Sequence, residues 1–344
     1  MKMTAFFGYL RGVQATRAAI VAFVILTMSF VSAQAPQAPA PDGRGQGQGQ
    51  GQGGAEGRGQ GRGGQPQTPP PPMIVLTKVG ANFYAIDGQG GRMGALVGPD
   101  GIFLVDAQFP AVTDRIVAAI RQVAPDPRFR FLVNSHVHGD HTGGNENFAK
   151  LGATLMSRPL LRARLMKPAA PAAGANPVAP APAAALATVT YDERTVINMN
   201  GEEIQLLPLR DAHTDGDTAV RFPAADVLMT GDVYRSVGYP FMDPNNGGTL
   251  KGMLAALSLL VDSAGPNTTV IPGHGPITNR AGLIFHRDMA VTVRDRVAKL
   301  LAQGQTVEQV VASKPTADFD ERVGNAAASA DRFVTGVYNG LRGQ

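Results

Sequence analysis

Five of the chain's six histidines stand in loops beside apolar, strand-like runs, and no other feature of the sequence constrains the fold as tightly. Three of them, with an aspartate, fall in "NSHVHGDHTGGN" (residues 134–145), into which the run "FRFLVN" leads directly. His213 sits in "RDAHTDGD" just before the run "TAVRFP", and His274 sits in "VIPGHGP" at the end of another run. Asp232 ends "DVLMTGD" in the same way. Strand ends are where α/β folds gather their ligands.

The rest of the chain suits such a fold. Strand signals cover residues 73–79, 82–86, 93–98 and 101–106, the last a continuous apolar run ending at Asp106. Residues 111–123 have helical spacing, with Val112, Ile116, Val117, Ile120 and Val123 on one face. A strand (129–134), a short helix (145–152), a strand (153–157) and a helix (158–166) follow. The pattern then repeats: strands over 188–198, 202–209, 218–223 and 226–232, a helix over 249–263 and the strand before His274. A long helix over 281–304 stops at Gly304, and two further helical stretches close the chain. The two similar halves predict an α/β (α+β) protein, two sheets packed together with helices outside.

The first 72 residues read differently. Lys2, Arg11 and Arg17 precede an uncharged, mostly apolar run over 18–31, and "VSA" ends at Ala33. This is the layout of a cleaved signal peptide, residues 1–33, rather than a membrane anchor. Residues 34–72 form a Gly/Gln/Pro-rich linker that cannot bury enough apolar surface to fold. The folded domain is expected over 73–344, interrupted by a Pro/Ala-rich loop insert at 167–187. Export to the periplasm or beyond is the expectation, with no stable membrane anchor after cleavage. The net charge of +4 lies wholly in the first 72 residues; the remainder carries 25 basic and 25 acidic residues. A neutral domain argues against a nucleic-acid surface. With no cysteine, disulfides, thiolate catalysis and Cys-based zinc sites are excluded.

The residue types in the loops point to a metal. If the strand before it continues, His136 and His138 point the same way. A turn eased by Gly139 then brings Asp140 and His141 back toward them. Neutral imidazoles and carboxylates suit zinc and similar ions, and Gly143 and Gly144 permit close approach of backbone to a bound group. A solvated turn would explain one stray histidine, but not five at loop mouths.

The set His136-x-His138-x-Asp140-His141, His213, Asp232 and His274 resembles that of the metallo-β-lactamase superfamily of metallohydrolases, over about residues 73–300. The resemblance implies a four-layer αβ/βα sandwich with its site at one edge between the sheets. It implies two divalent metal ions, zinc first, with manganese or iron as alternatives. His136, His138 and His213 would hold one ion, Asp140, His141 and His274 the other, and Asp232 both. Asp106 would accept a hydrogen bond from a ligand histidine, unless it merely caps its strand. A hydroxide shared by the ions would attack an ester, lactone, thioester or lactam, with Asp140 as the catalytic group that orients it.

Asp232 stands where many lactamases of the superfamily carry cysteine. That favours the thioesterase, lactonase, sulfatase and phosphodiesterase branches over a β-lactamase proper, which stays an alternative. A mononuclear iron dioxygenase of persulfides is a second alternative, and a non-catalytic metal-binding protein a third. The partner is expected to be a small-molecule substrate, and nothing in the residues sets an oligomeric state. Tyr234, Tyr239 and Phe241 follow Asp232 and would line a substrate wall or simply pack. His286, inside the long helix, reads as a packing or surface residue.

Overall fold

The computed structural model describes residues 73–167, 179–324 and 326–343. Residues 1–72, where a signal peptide and a linker are expected, and residues 168–178 of the Pro/Ala-rich stretch lie outside the described residues.

Among the described residues, seven strands form one sheet in chain order. β1 (Val75–Lys78), β2 (Phe83–Asp87), β3 (Met93–Gly98) and β4 (Gly101–Val105) are an antiparallel meander. β5 (Phe129–Val133), β6 (Thr154–Ser157) and β7 (Val189–Thr190) then add in parallel. The crossovers run through α1 (Thr113–Ile120), α2 (Gly139–Thr142), α3 (Asn145–Lys150) and α4 (Pro159–Leu165). The second sheet holds β8 (Thr195–Met199), β9 (Glu202–Leu209), β10 (Asp217–Phe222), β11 (Val227–Met229), β12 (Thr269–Ile271) and β13 (Thr278–Asn279), again in chain order. Within it only β11 and β12 pair in parallel, across α5 (Leu250–Ser263). α6 (Arg280–Ala302), α7 (Val307–Ala312), α8 (Asp320–Val323) and α9 (Ala326–Arg342) complete the chain.

The strand period of two sorts residues into layers. In β4, Phe103 and Val105 face the other sheet, while Ile102 and Leu104 face α1. Covered on both faces, the strand reads as one continuous apolar run. Phe83 and Phe222 meet across the sheets with ring centroids 4.5 Å apart, and burying such a ring is worth about 1.5–3 kcal/mol. A second core joins the first sheet to α1 and α3, and a third joins the second sheet to α5, α6 and α9. The result is the expected four-layer αβ/βα sandwich.

Several elements differ from expectation. Residues 188–198 are not one strand: β7 ends the first sheet at Thr190 and β8 opens the second at Thr195. Between them Tyr191 is buried and its hydroxyl donates to Thr218 Oγ1 at 3.0 Å, so the segment crosses from sheet to sheet. The helix over 111–123 is shorter. α1 ends at Ile120 and Val123 is exposed, because Pro125 and Pro127 follow closely and disfavour helical backbone before them. Of the insert, Ala183–Ala185 forms a single 3-10 turn. α6 starts on an Asn279 cap and stops before Gly304, whose φ of 78° suits a helix end.

Candidate metal centre

Parallel strands bring their C-terminal ends to one edge. β4 and β5 deliver Asp106 and the loop carrying His136, His138, Asp140 and His141, while β11 and β12 deliver Asp232 and His274. His213 enters from the β9–β10 loop, which Asp217 holds by accepting the backbone N–H groups of His213 (2.7 Å) and Thr214 (2.8 Å). The stretch 134–145 is closed at its base. Asn134 and Asn145 exchange two buried side-chain hydrogen bonds of 2.9 and 2.8 Å.

β5 does not continue to His138; it ends at Val133 and the chain bends. The two histidines still converge, through different nitrogens. His138 Nδ1 lies 3.2 Å from His136 Nε2 and 3.0 Å from His213 Nε2. In a second group, His274 Nε2 lies 3.4 Å from His141 Nε2 and 3.2 Å from Asp140 Oδ2. Asp232 reaches both groups: its carboxylate oxygens lie 3.5 Å from His141 Nε2, 3.3 Å from His274 Nε2 and 3.9 Å from His213 Nε2. Within each of two sets, His136, His138, His213, Asp232 and Asp140, His141, His274, the donor atoms lie within 4.8 Å of one another.

The outer ring nitrogens decide what faces inward. His141 Nδ1 donates to Asp106 Oδ2 (2.8 Å), His138 Nε2 to Asp243 Oδ2 (2.8 Å) and His213 Nδ1 to the Phe241 carbonyl (2.7 Å). His136 Nδ1 donates to Ser135 Oγ (3.0 Å), whose own proton goes to Asp106 Oδ2 (2.7 Å). With the proton outside, the inner nitrogens of His136, His138 and His213 present lone pairs. Lone pairs 3.0 and 3.2 Å apart repel unless a cation lies between them. Asp232 Oδ1 is buried with no hydrogen-bond partner among the described residues. The donor set therefore fits divalent metal.

Electrostatics agree. Burial holds His136 well below its ordinary pKa and His213 down at about 4, against the pull of Asp232, so both are neutral, as ligands must be. Burial works against the Asp232 carboxylate, yet the neighbouring imidazoles of His141 and His274 draw it well below the carboxylate range. Against the effect of burial, Asp106 and Asp232 raise metal-free His141 well above its ordinary value, and the carboxylates of Asp140 and Asp232 raise metal-free His274 to about 9. A cation would release that proton on binding.

Asp106 both caps and orients. It accepts Ser135 N–H (2.7 Å) as well as the Ser135 hydroxyl and His141, from a left-handed backbone at φ 65°. Asp106→Ala is expected to weaken metal binding by about 10- to 100-fold and to leave buried donors unpaired. Chelator competition measures this, and unchanged affinity would reject the orienting role.

Sequence reasoning missed Ser135, Asp243 and the Phe241 carbonyl as anchors of ligand rings. Asp243 lies 105 residues from His138, and no spacing rule links them. Its visible signal is the "DPNN" turn, where it caps a short 3-10 helix. Of the three aromatics expected to line a substrate wall or simply pack, two pack in the core. Tyr234 packs edge-on against His286 at 5.0 Å, and Tyr239 stacks on Phe333 at 5.6 Å, both in the core. Of the three aromatics only Phe241 borders the centre, its ring 5.5 Å from that of His213. His286 is buried in α6. Gly143 and Gly144 serve backbone packing rather than a bound group: a Cβ at Gly144 would come 2.4 Å from the Ala107 carbonyl oxygen.

The family model of the metallo-beta-lactamase superfamily matches residues 87–274. No curated protein matches the sequence. Among solved structures, a metallo-beta-lactamase from Pontibacter korlensis is similar at a TM-score of 0.52 and 17% identity, over 64% of this chain and 99% of that one. The inverting sec-alkylsulfatase Pisa1 from Pseudomonas sp. is similar at a TM-score of 0.61 and 18% identity. That match covers 77% of this chain but spans only 50% of the alkylsulfatase. A metallo-beta-lactamase from Hirschia baltica gives a TM-score of 0.51 at 18% identity, over 63% of this chain and 98% of that one. At these identities the likeness is one of fold.

Proposed function

The chain belongs to the metallo-beta-lactamase superfamily, and on that premise we propose that it is an exported, dinuclear metal-dependent hydrolase of small esters, lactones, thioesters or lactams. The observation that carries the reading is the pair of inward-facing donor groups joined by one carboxylate, Asp232. His136, His138 and His213 would hold one ion, and Asp140, His141 and His274 the other, zinc in both. When bound, the ions supply a water ionised near neutral pH and a Lewis acid for the electrophile's oxygen.

The protein's own groups do the rest. Asp140 is the partly open carboxylate of the set, its side chain 25% exposed. Burial opposes its ionisation, but the hydrogen bond from His274 and the charge of His141 bring its pKa below the ordinary value. It is thus an acceptor throughout the neutral range, suited to orient the attacking water, take its proton and return it to the leaving group. Asp106, Asp243, Ser135 and the Phe241 carbonyl keep the imidazoles in the tautomer this requires.

Two guanidiniums bear on the substrate. Arg332 lies 4.1 Å over the Phe241 ring. Its pKa is lowered by burial and by the nearby charge of Arg235. Arg235 has a buried Nε with no hydrogen-bond partner among the described residues. Two neighbouring guanidiniums with no ion pair among the described residues, one of them over the Phe241 ring that borders His213, would favour substrates that carry an anionic group. Export to the periplasm or medium is supported by the charged, apolar and small-residue layout of residues 1–33.

The test uses the purified protein loaded with zinc, manganese or iron against thioester, lactone, phosphodiester, sulfate-ester and lactam substrates. About two ions per chain and turnover of at least one carboxylic or thioester-type substrate are expected. Full activity after thorough chelation would sink the reading. So would a single iron with oxygen uptake on a persulfide, the signature of the dioxygenase alternative.

A further inference from the structure

The turn between β2 and β3, residues 88–92, reaches across the molecule to the Asp140, His141 and His274 group. Gly91 N–H donates to the Asp140 carbonyl at 3.0 Å. A Cβ on Gly91 would come within 2.0 Å of His141 Cε1 and 2.1 Å of its Nε2. Gly90, at φ 113°, packs on Asp140 as closely; a Cβ there would stand 2.7 Å from the Asp140 carbonyl oxygen. Arg92 then brackets His274 by its two neighbours. Its backbone N–H donates to the Gly273 carbonyl (2.8 Å) and its Nη1 to the Gly275 carbonyl (2.6 Å). Asp87 holds the same guanidinium, with a 2.8 Å bond from Nε.

His274 needs such bracing. The outer nitrogens of His136, His138, His141 and His213 each have a partner. Among the described residues no such hydrogen bond is made by His274 Nδ1, so its outer edge is unanchored and the ring is aimed by its inner carboxylate neighbours and by its backbone. Ser236 N–H holds the His274 carbonyl at 3.1 Å, and Arg92 holds the residues on either side. None of the turn's hydrogen bonds among the described residues goes to His136, His138 or His213.

We propose that residues 88–92 are a positioning clamp that sets the second metal subsite and leaves the first alone. Gly91 supplies the space for the His141 ring, and Arg92 places His274. The inference rests on the dinuclear reading above.

The experiment compares the full chain with Gly91→Ala and Arg92→Ala. Each is saturated with zinc, analysed for metal and titrated with a chelator, and the metal-free forms are melted. Wild type should hold about two ions. Gly91→Ala should keep one tight ion and bind the second about 10- to 100-fold more weakly, the usual effect of losing a group that orients a ligand. Arg92→Ala should show a smaller loss of the same kind; it adds no atom, so it decides the matter if Gly91→Ala does not fold. Two equally tight ions in the variants would overturn the proposal and leave the dinuclear reading standing. Equal weakening of both ions would also overturn it. A single ion in the wild type would overturn both.

Discussion

Asp140→Ala is expected to lower kcat/KM on the best substrate by about 10²- to 10⁴-fold, the range for removing a positioned proton acceptor. The fold should survive. Asp140 lies in the first turn of α2, its side chain is partly solvent-exposed, and its close side-chain contacts are with the metal group. Asp140→Asn separates two roles. The amide keeps the size and can still point an oxygen inward, but it cannot take a proton. If Asn is as inactive as Ala while metal content stays near that of wild type, proton transfer is the lost step. If Asn restores most of the rate, Asp140 acts by geometry. Steady-state kinetics and metal analysis on the same preparations distinguish these, and full activity in the Ala variant would remove Asp140 from the mechanism.

His286→Leu is expected to make the protein markedly more resistant to acid. His286 is 3% exposed, its Nε2 has no partner among the described residues, and burial alone lowers its pKa to about 3. The folded chain keeps it neutral, whereas the unfolded chain protonates it near the ordinary value of 6.5. Between those two values the unfolded state binds more protons, so stability falls as pH falls. The loss begins near 6.5 and is complete only below about 3. Each pH unit in that window is worth about 1.4 kcal/mol, which makes about 3 kcal/mol of relative destabilisation by about pH 4. Leucine has no proton to bind and suits the apolar surroundings in α6. Urea unfolding of both proteins at several pH values should give curves that converge above pH 7 and separate below 6. Parallel curves would show that His286 is solvated.

How much of this was readable beforehand can be judged residue by residue. His136, Asp140, His141, Asp232 and His274 were visible because each follows an apolar run, and strand ends are a local pattern. β4 and β5 were legible for the same reason: β4 is buried throughout, and β5 ends on the buried pair Leu132 and Val133. The break between β7 and β8 was not. Residues 188–191 and 195–197 both carry strand propensity, and the short polar triplet Asp192-Glu193-Arg194 between them reads as easily as an exposed part of one strand as the crossing between two sheets. Tyr234 and Tyr239 could not be assigned from sequence, because an aromatic after a ligand looks the same whether it faces a substrate or packs on α6 and α9.

The residues alone thus pointed to a two-sheet α/β domain and to the donor atoms of a candidate metal centre, because side-chain chemistry and hydrophobic period are written locally. Packing decided what aims those donors. Asp243 meets His138 across 105 residues, and Arg92 meets the Gly275 carbonyl across 183. Such contacts arise when loops from different strands close on one another. They depend on backbone direction and on the absence of a Cβ at Gly91, which no periodicity encodes.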